Sequence, residues 1–415
     1  MAVYKAIWEY ISLNHYSKPS APAGEVVRGR LTAARRLLRP ETYRAGRDRG
    51  RLSAAPPYLL NRAAPAPDLE QMVIALQGAL HNWFFTRDPK RSIKVVVGPP
   101  GSNVDRTVAA LGRRKGWPIV GPPTPAEILS GGDAWLDNIK GDALAPVVIP
   151  KLGSCYLRHH DGLALIGRLL DWLASTRRRC LMACDSWAWA YLVKALQIDA
   201  MLPTPLTLAP LDGNRLQFWL PTLARTNGGR FVFRDAGNGE AIFMVASDYA
   251  DLIRRNATPG KMEAFGEGDG AGALVKQLAA YSRGLPKIAW TWWRECLQVT
   301  PEAKREIERT MDPADDCYTV WVKPWSQLPL PVAPHTAGTT ESIILHTLLL
   351  HDGAPAELLE LLLPLSHSQI RHALHQLREV NLVKLTADDH WRITLLGYPA
   401  VRGFMENEGY LVDAF

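Results

Sequence analysis

The sequence predicts an α/β fold: a parallel sheet with helices on both faces, then a helical segment, then a small carboxyl-terminal domain of three helices and a two-stranded hairpin. Three observations carry this. Apolar Val95-Val96-Val97 runs into the glycine loop Gly98-Pro99-Pro100-Gly101-Ser102, after which helical periodicity begins. Four further apolar runs of strand length alternate with helix-length segments up to Leu211, and alternation of that kind implies a parallel sheet. From Thr340 onward, three helix signals precede two strand signals.

Each element has its own justification. The first 20 residues read as a short amphipathic helix with Ile7, Tyr10, Ile11 and Leu13 on one side. Sequence rich in Pro, Ala and Arg follows to Pro67, irregular apart from one helix near Leu31–Leu38. Asp68 is a helix cap, and Leu69, Met72, Val73, Leu76 and Leu80 repeat at helical spacing toward the strand at 93–97. Helices are expected at 104–115, 126–138, 162–175 and 187–196, and strands at 118–120, 145–150, 179–184 and 204–211. Around the Gly237-Asn238-Gly239 turn, residues 215–265 read as a hairpin insertion. Residues 271–299 are helical, and 300–339 form a linker rich in Pro and Trp. Helices at 342–351, 355–363 and 367–380, the last capped by Ser366, lead to strands at 383–386 and 391–394 in a winged-helix pattern.

Composition narrows the function classes. With 415 residues, 47% hydrophobic and 21% charged, the chain is expected to form two or three domains. No apolar run is long enough for a membrane span, since Ile343–Leu365 is broken by His346, His351, Asp352, Glu357 and Glu360. Five cysteines without a C-x-x-C pair, and no signal pattern, point to a reduced, cytoplasmic protein. The net charge of +7 is local: residues 28–51 hold nine arginines against Glu41 and Asp48. Such an arm, including Arg35, Arg36 and Arg39, suits nucleic acid, an anionic membrane surface or an acidic protein; a solvated arm without a partner is the plainer reading.

The glycine loop follows the Walker A motif, G-x-x-x-x-G-K-[ST], as far as its serine. There the motif calls for Gly, Lys and a hydroxyl residue, and this chain supplies Asn103, Val104 and Asp105. Valine cannot reach a phosphate, and a carboxylate repels one. The third strand also lacks the metal-holding acid expected at its end, where Pro150 and Lys151 stand. Loss of lysine, hydroxyl and acid removes the electrostatic stabilisation on which phosphoryl transfer depends. The amides of Gly98, Pro99, Pro100, Gly101, Ser102 and Asn103 (the prolines contributing none) and the helix start still outline an anion cradle, suited to ATP or ADP without hydrolysis or else simply empty.

These features, with Gly284-Leu285-Pro286 before an apolar helix, resemble the AAA+/STAND class of P-loop ATPases over residues 68–415. The resemblance implies a P-loop NTPase-like parallel sheet with a helical lid, followed by a C-terminal winged-helix domain. After the basic, largely irregular arm at 1–67, it implies a degenerate core at 68–270, lid and linker at 271–325, and the winged helix at 340–415. In the NB-ARC branch the proline of G-L-P packs near the adenine, which makes Pro286 a cofactor-binding candidate. Asp185 or Ser186, ending the fourth strand, falls where the class has a polar sensor. The expectation is a pseudo-ATPase acting as a regulatory or scaffolding subunit through a protein partner or self-assembly.

Other readings compete. A DNA-binding regulator would place Ser368, Gln369, Arg371 and His372 in the major groove. Residues 340–415, however, hold five basic against ten acidic side chains, which disfavours phosphate contact. An active NTPase would need a relocated lysine, with Lys94, Lys115 and Lys151 as candidates. Arg158-His159-His160-Asp161 resembles the His-Asp pair of metal-dependent phosphohydrolases. On a helix, adjacent histidines would diverge by about 100° and could not share an ion, so no metal and a structural role are expected. The tryptophans, Trp187, Trp189, Trp290, Trp292 and Trp293 among them, read as core packing.

Overall fold

The computed structural model describes residues 7–20, 52–85, 92–141, 145–225, 230–243, 272–309, 317–333 and 339–415. The chain forms two compact units, Met1–Ser17 with Asp68–Ala209 and Leu330–Phe415 in the first, and Lys18–Pro67 with Pro210–Pro329 in the second.

The first unit is organised by a five-stranded sheet. Its strands are β1 (Tyr10–Ser12), β2 (Ile93–Gly98), β3 (Val147–Ile149), β4 (Cys180–Asp185) and β5 (Leu206–Leu208), in the order β1-β5-β2-β4-β3. Strands β2 to β5 run parallel, and β1 closes one edge antiparallel to β5. Ile119 adds a parallel bridge to Val148 beyond β3. Continuous apolar runs such as Val95–Val97 and Cys180–Cys184 are wholly buried, as strands covered on both faces must be.

Tyr10–Ser12, inside the stretch expected to be a helix, thus form a strand. The apolar stretch is too short to nucleate a helix alone, and Tyr10–Ser12 gains a full register with Leu206–Leu208 instead. The expected helix near Leu31–Leu38, and Arg35, Arg36 and Arg39, lie outside the described residues.

The helix after the loop, Val104–Lys115, buries Val104, Thr107, Val108, Leu111 and Gly112, a stripe at helical spacing. It ends in a Schellman turn: Gly116 at φ 67°, with the Trp117 N–H on the Gly112 carbonyl at 3.0 Å. A methyl on Gly112 would stand 2.8 Å from Val148, so glycine lets this helix lie close on β3. Helix Ala164–Ser175 buries five leucine and isoleucine side chains in a core that also holds Val95, Val97 and Phe415. Trp187 and Trp189 are buried, as the sequence suggested.

Residues 339–407 form helices Thr339–Leu350, Ala356–Leu362 and His367–Glu379, the antiparallel strands Val383–Leu385 and Trp391–Ile393, and a final helix Tyr398–Asn407. Ser366 caps its helix through a reciprocal capping box with Gln369.

In the second unit, strands Ser53–Ala54, Leu297–Val299, Cys317–Val322 and Arg230–Asp235 lie side by side in that order, the last two parallel. The segment expected to be a linker therefore contributes a strand and helix Pro301–Arg309. The turn at Gly237–Gly239 does fold the chain back, bridging Ala241 to Arg234. Trp292 and Trp293 are buried in this unit. Gly284 holds φ +75°, and a methyl there would lie 2.5 Å from Pro210, so both backbone and space demand glycine. No helix among the described residues is long and apolar enough to cross a membrane.

Candidate functional site at the carboxyl ends of the strands

The glycine loop leaves β2 at the centre of the sheet, where parallel α/β folds place ligands. Pro99–Ser102 closes a β-turn, its Ser102 N–H on the Pro99 carbonyl at 3.0 Å. Pro100 occupies the second position and Gly101, at φ 83°, the third, which fits the residue preferences of a type II turn. Asn103 takes the left-handed conformation at φ 57° and starts the helix without a side-chain cap bond. Gly98 has no room for a methyl, because Ser102 Oγ and Val104 pack against it. The turn consumes the Ser102 amide, which leaves Asn103 and the first helical turn as anion donors. The six candidates from Gly98 to Asn103 are thus brought together in one loop. Pro286 is buried as the first residue of helix Pro286–Cys296 in the other unit.

Charge at the loop is self-contained. Asp105, in the first turn, places a carboxylate where the helix dipole favours an anion. Lys151, just beyond β3, brings its Nζ to 4.0 Å from Asp105 Oδ2. Asp185 ends β4 in register with Gly98. Burial pushes its carboxyl well above the usual carboxylate range, the charges of Asp352 and Asp105 push it further, and Lys151 and Arg392 pull it back. Asp352 accepts from Arg392 at 2.9 Å, and Arg392 also reaches Asp388 at 3.2 Å. Residues of the carboxyl-terminal segment therefore share the electrostatics of the strand ends.

These residues do not suit a magnesium nucleotide of the usual kind. A carboxylate stands where a hydroxyl should hold the ion, an ammonium where an acid should, and valine where lysine should meet phosphate. Lys94 lies on β2 and Lys115 ends the helix, and only Lys151 of the three candidate lysines contacts a loop-proximal group among the ion pairs found.

A second set of residues, unannounced by the sequence, fastens the carboxyl-terminal segment to the sheet. Asp413 is 4% exposed and accepts from Ser186 Oγ, from Tyr398 Oη at 3.0 Å and from Arg402 Nε at 3.0 Å. Trp187 Nε1 donates to Tyr398 Oη at 3.1 Å, and Tyr156 Oη donates to the Leu350 carbonyl at 2.9 Å. Burial raises the Asp413 carboxyl, and its donors oppose that. Two histidines line the same contact: His346 against Trp187 and Tyr410, and His351 against Tyr156. Burial, then the charge of Arg158, lowers each to about 4. Beside this junction a cavity of about 490 Å³ is lined by Val97, Ser186, Trp189, Lys194, Thr204 and Phe415, among others.

Of the nucleic-acid candidates, Gln369 is engaged with Ser366, and Ser368 Oγ lies 3.1 Å from Ser366 Oγ. Arg371 is exposed and lines a cavity of about 240 Å³ with Leu374, His375, Arg378 and Trp391. The turn between strands Val383–Leu385 and Trp391–Ile393 carries Asp388, held by Arg392, and Asp389 at φ 60°.

Residues 158–161 form a turn, not a helix. Gly162 imposes it: its carbonyl accepts from Leu157 N–H at 3.0 Å, and its α-carbon sits against the Leu157 carbonyl with no room for a methyl. The expected divergence of His159 and His160 therefore does not occur, and their ring centroids are 4.1 Å apart.

No family model matches the chain. No curated protein matches it either. Among solved structures, the chain is similar to the Aeropyrum pernix ORC2 protein, determined as ADPNP and ADP complexes. The match has 14% identity and covers 95% of this chain and 97% of that one, with a TM-score of 0.21, too low for the likeness to bear on function.

Proposed function

We propose that this protein is a catalytically degenerate AAA+/STAND-like P-loop ATPase that serves as a regulatory or scaffolding subunit. The observation that carries the reading is the approach of Lys151 to Asp105. An ATPase of this type would use those two positions to hold a divalent cation between a hydroxyl and an acid. Here an ammonium supplies the positive charge and a carboxylate receives it, so the chain carries its own counter-ion. The central parallel strand ending in a type II glycine turn, with the loop at the carboxyl end of the sheet, supports the P-loop part of the reading. The four-part division into arm (1–67), core (68–270), lid and linker (271–325) and winged helix (340–415) belongs to the same proposal.

In this reading the winged helix works as a protein-facing module. Its acid excess, the use of Gln369 in a cap and Asp388 at the wing all weigh against phosphate contact. ATP or ADP, if held, is gripped through the loop amides and not cleaved. The test is denaturation of the purified chain followed by chromatography of released small molecules, beside a phosphate-release assay. Bound nucleotide without turnover, or neither, accords with the proposal; sustained turnover dependent on Gly101 refutes it. DNA binding that steepens at low salt and weakens on Arg371→Ala would reassign the module to DNA.

A further inference from the structure

We infer that the turn at 158–162 is a binding site for a divalent transition-metal ion, held by His159, His160 and Asp161. These three are the set of histidine, cysteine and acidic side chains among the described residues whose donor atoms converge, all within 4.8 Å of one another. Asp161 Oδ2 lies 2.6 Å from His160 Nε2 and 4.0 Å from His159 Nδ1. Donors around a tetrahedral ion with bonds of about 2.1 Å stand about 3.4 Å apart. Of these two edges one must open and the other close by under about an ångström, within reach of the side-chain torsions of the exposed His160 and Asp161.

The turn prepares the donors. The Asp161 N–H donates to His159 Nδ1 at 3.3 Å, so that nitrogen is unprotonated, and a bound ion would take its single lone pair in place of this long bond. A metal ion needs the imidazole in that state. The turn is closed by the Leu157–Gly162 and Gly162–His159 backbone bonds at 3.0 Å each, so the three side chains leave one short, pinned stretch of chain. Two imidazoles and one carboxylate with open positions suit zinc, cobalt(II), nickel or iron(II). Cys155, Cys180, Cys184 and Cys296 are buried away from this turn's surface. The only chemistry claimed is ligation, with solvent completing the coordination sphere.

The same side chains could instead form a plain His160–Asp161 ion pair, and the experiment separates the two. The metal-stripped full chain is titrated with Zn²⁺ by calorimetry and with Co²⁺ by visible absorption. One equivalent should bind, with cobalt bands of a nitrogen–oxygen site. His160→Ala and Asp161→Ala, at side chains 78% and 56% exposed, should fold normally and each bind at least roughly tenfold more weakly. Because the chain has eleven histidines, these variants report whether binding belongs to this turn. Absence of binding to the unmodified chain, or equal binding by both variants, overturns the site.

Discussion

Lys151 and Asp185 carry most of the meaning at the residue scale. The Lys151–Asp105 pair is about one-third exposed on each side, so its direct contribution to stability is small. Lys151→Ala should lower stability by only about 0.5 kcal/mol in chemical denaturation and create no ATP turnover. Asp185 behaves differently. Its carboxyl is raised in the folded state, so its stabilising contribution is complete at low pH and is lost as pH rises through the folded value. Asp185→Asn removes that penalty. The variant should match the parent in acid and melt higher than it at pH 8. The difference is about 1.4 kcal/mol for each pH unit of the shift, less whatever solvent screens at this partly exposed group. Equal melting curves for the two proteins at pH 8 would refute the assignment. His351 has the opposite sign. Lowered to about 4 from 6.5, it stabilises fully above pH 6.5, and that contribution drains away as pH falls toward 4. The span corresponds to at most about 3 kcal/mol. His351→Leu should therefore flatten the acid limb of stability between pH 6.5 and 4, measured by thermal unfolding across buffers.

At the scale of elements, the junction of the carboxyl-terminal segment with the sheet is the feature most exposed to test. Arg402 is 4% exposed, and Asp413 is its buried partner. Asp413→Ala removes the carboxylate from that buried guanidinium, leaving it Glu406 and the main-chain carbonyl of residue 413, and should cost about 3 kcal/mol. Limited proteolysis should then release fragments from residues 340–415 that the parent protects; unchanged protection would show that the segment is held by other means. In the second unit, Gly284→Ala meets both the positive φ and the close Pro210, and should destabilise by about 1–3 kcal/mol. Elements with local signals were legible in the sequence. The helix at 104–115 was announced by the glycine loop before it, and the helix from His367 by the Ser366 cap. Elements defined by distant partners were not legible. Tyr10–Ser12 is a strand because Leu206–Leu208 is there to pair with, and Arg230–Asp235 runs parallel to Cys317–Val322 across a long stretch of chain. The histidine turn was misread because helical geometry was assumed where Gly162 folds the chain back.

At the scale of the whole molecule, the proposed pseudo-ATPase has a glycine loop whose neighbouring charge is met from within, by Lys151 at Asp105. The glycine loop and its altered positions could be read from the sequence, because the motif is contiguous. The neighbours that give those alterations meaning could not, since Asp352, Arg392 and Asp413 lie far along the chain from Asp105 and Ser186. The most direct measurement is phosphate release from Mg²⁺–ATP by the purified chain, run beside Gly101→Ala. The account predicts no release above the protein-free rate for either protein. Steady, magnesium-dependent release by the parent that Gly101→Ala abolishes would contradict it.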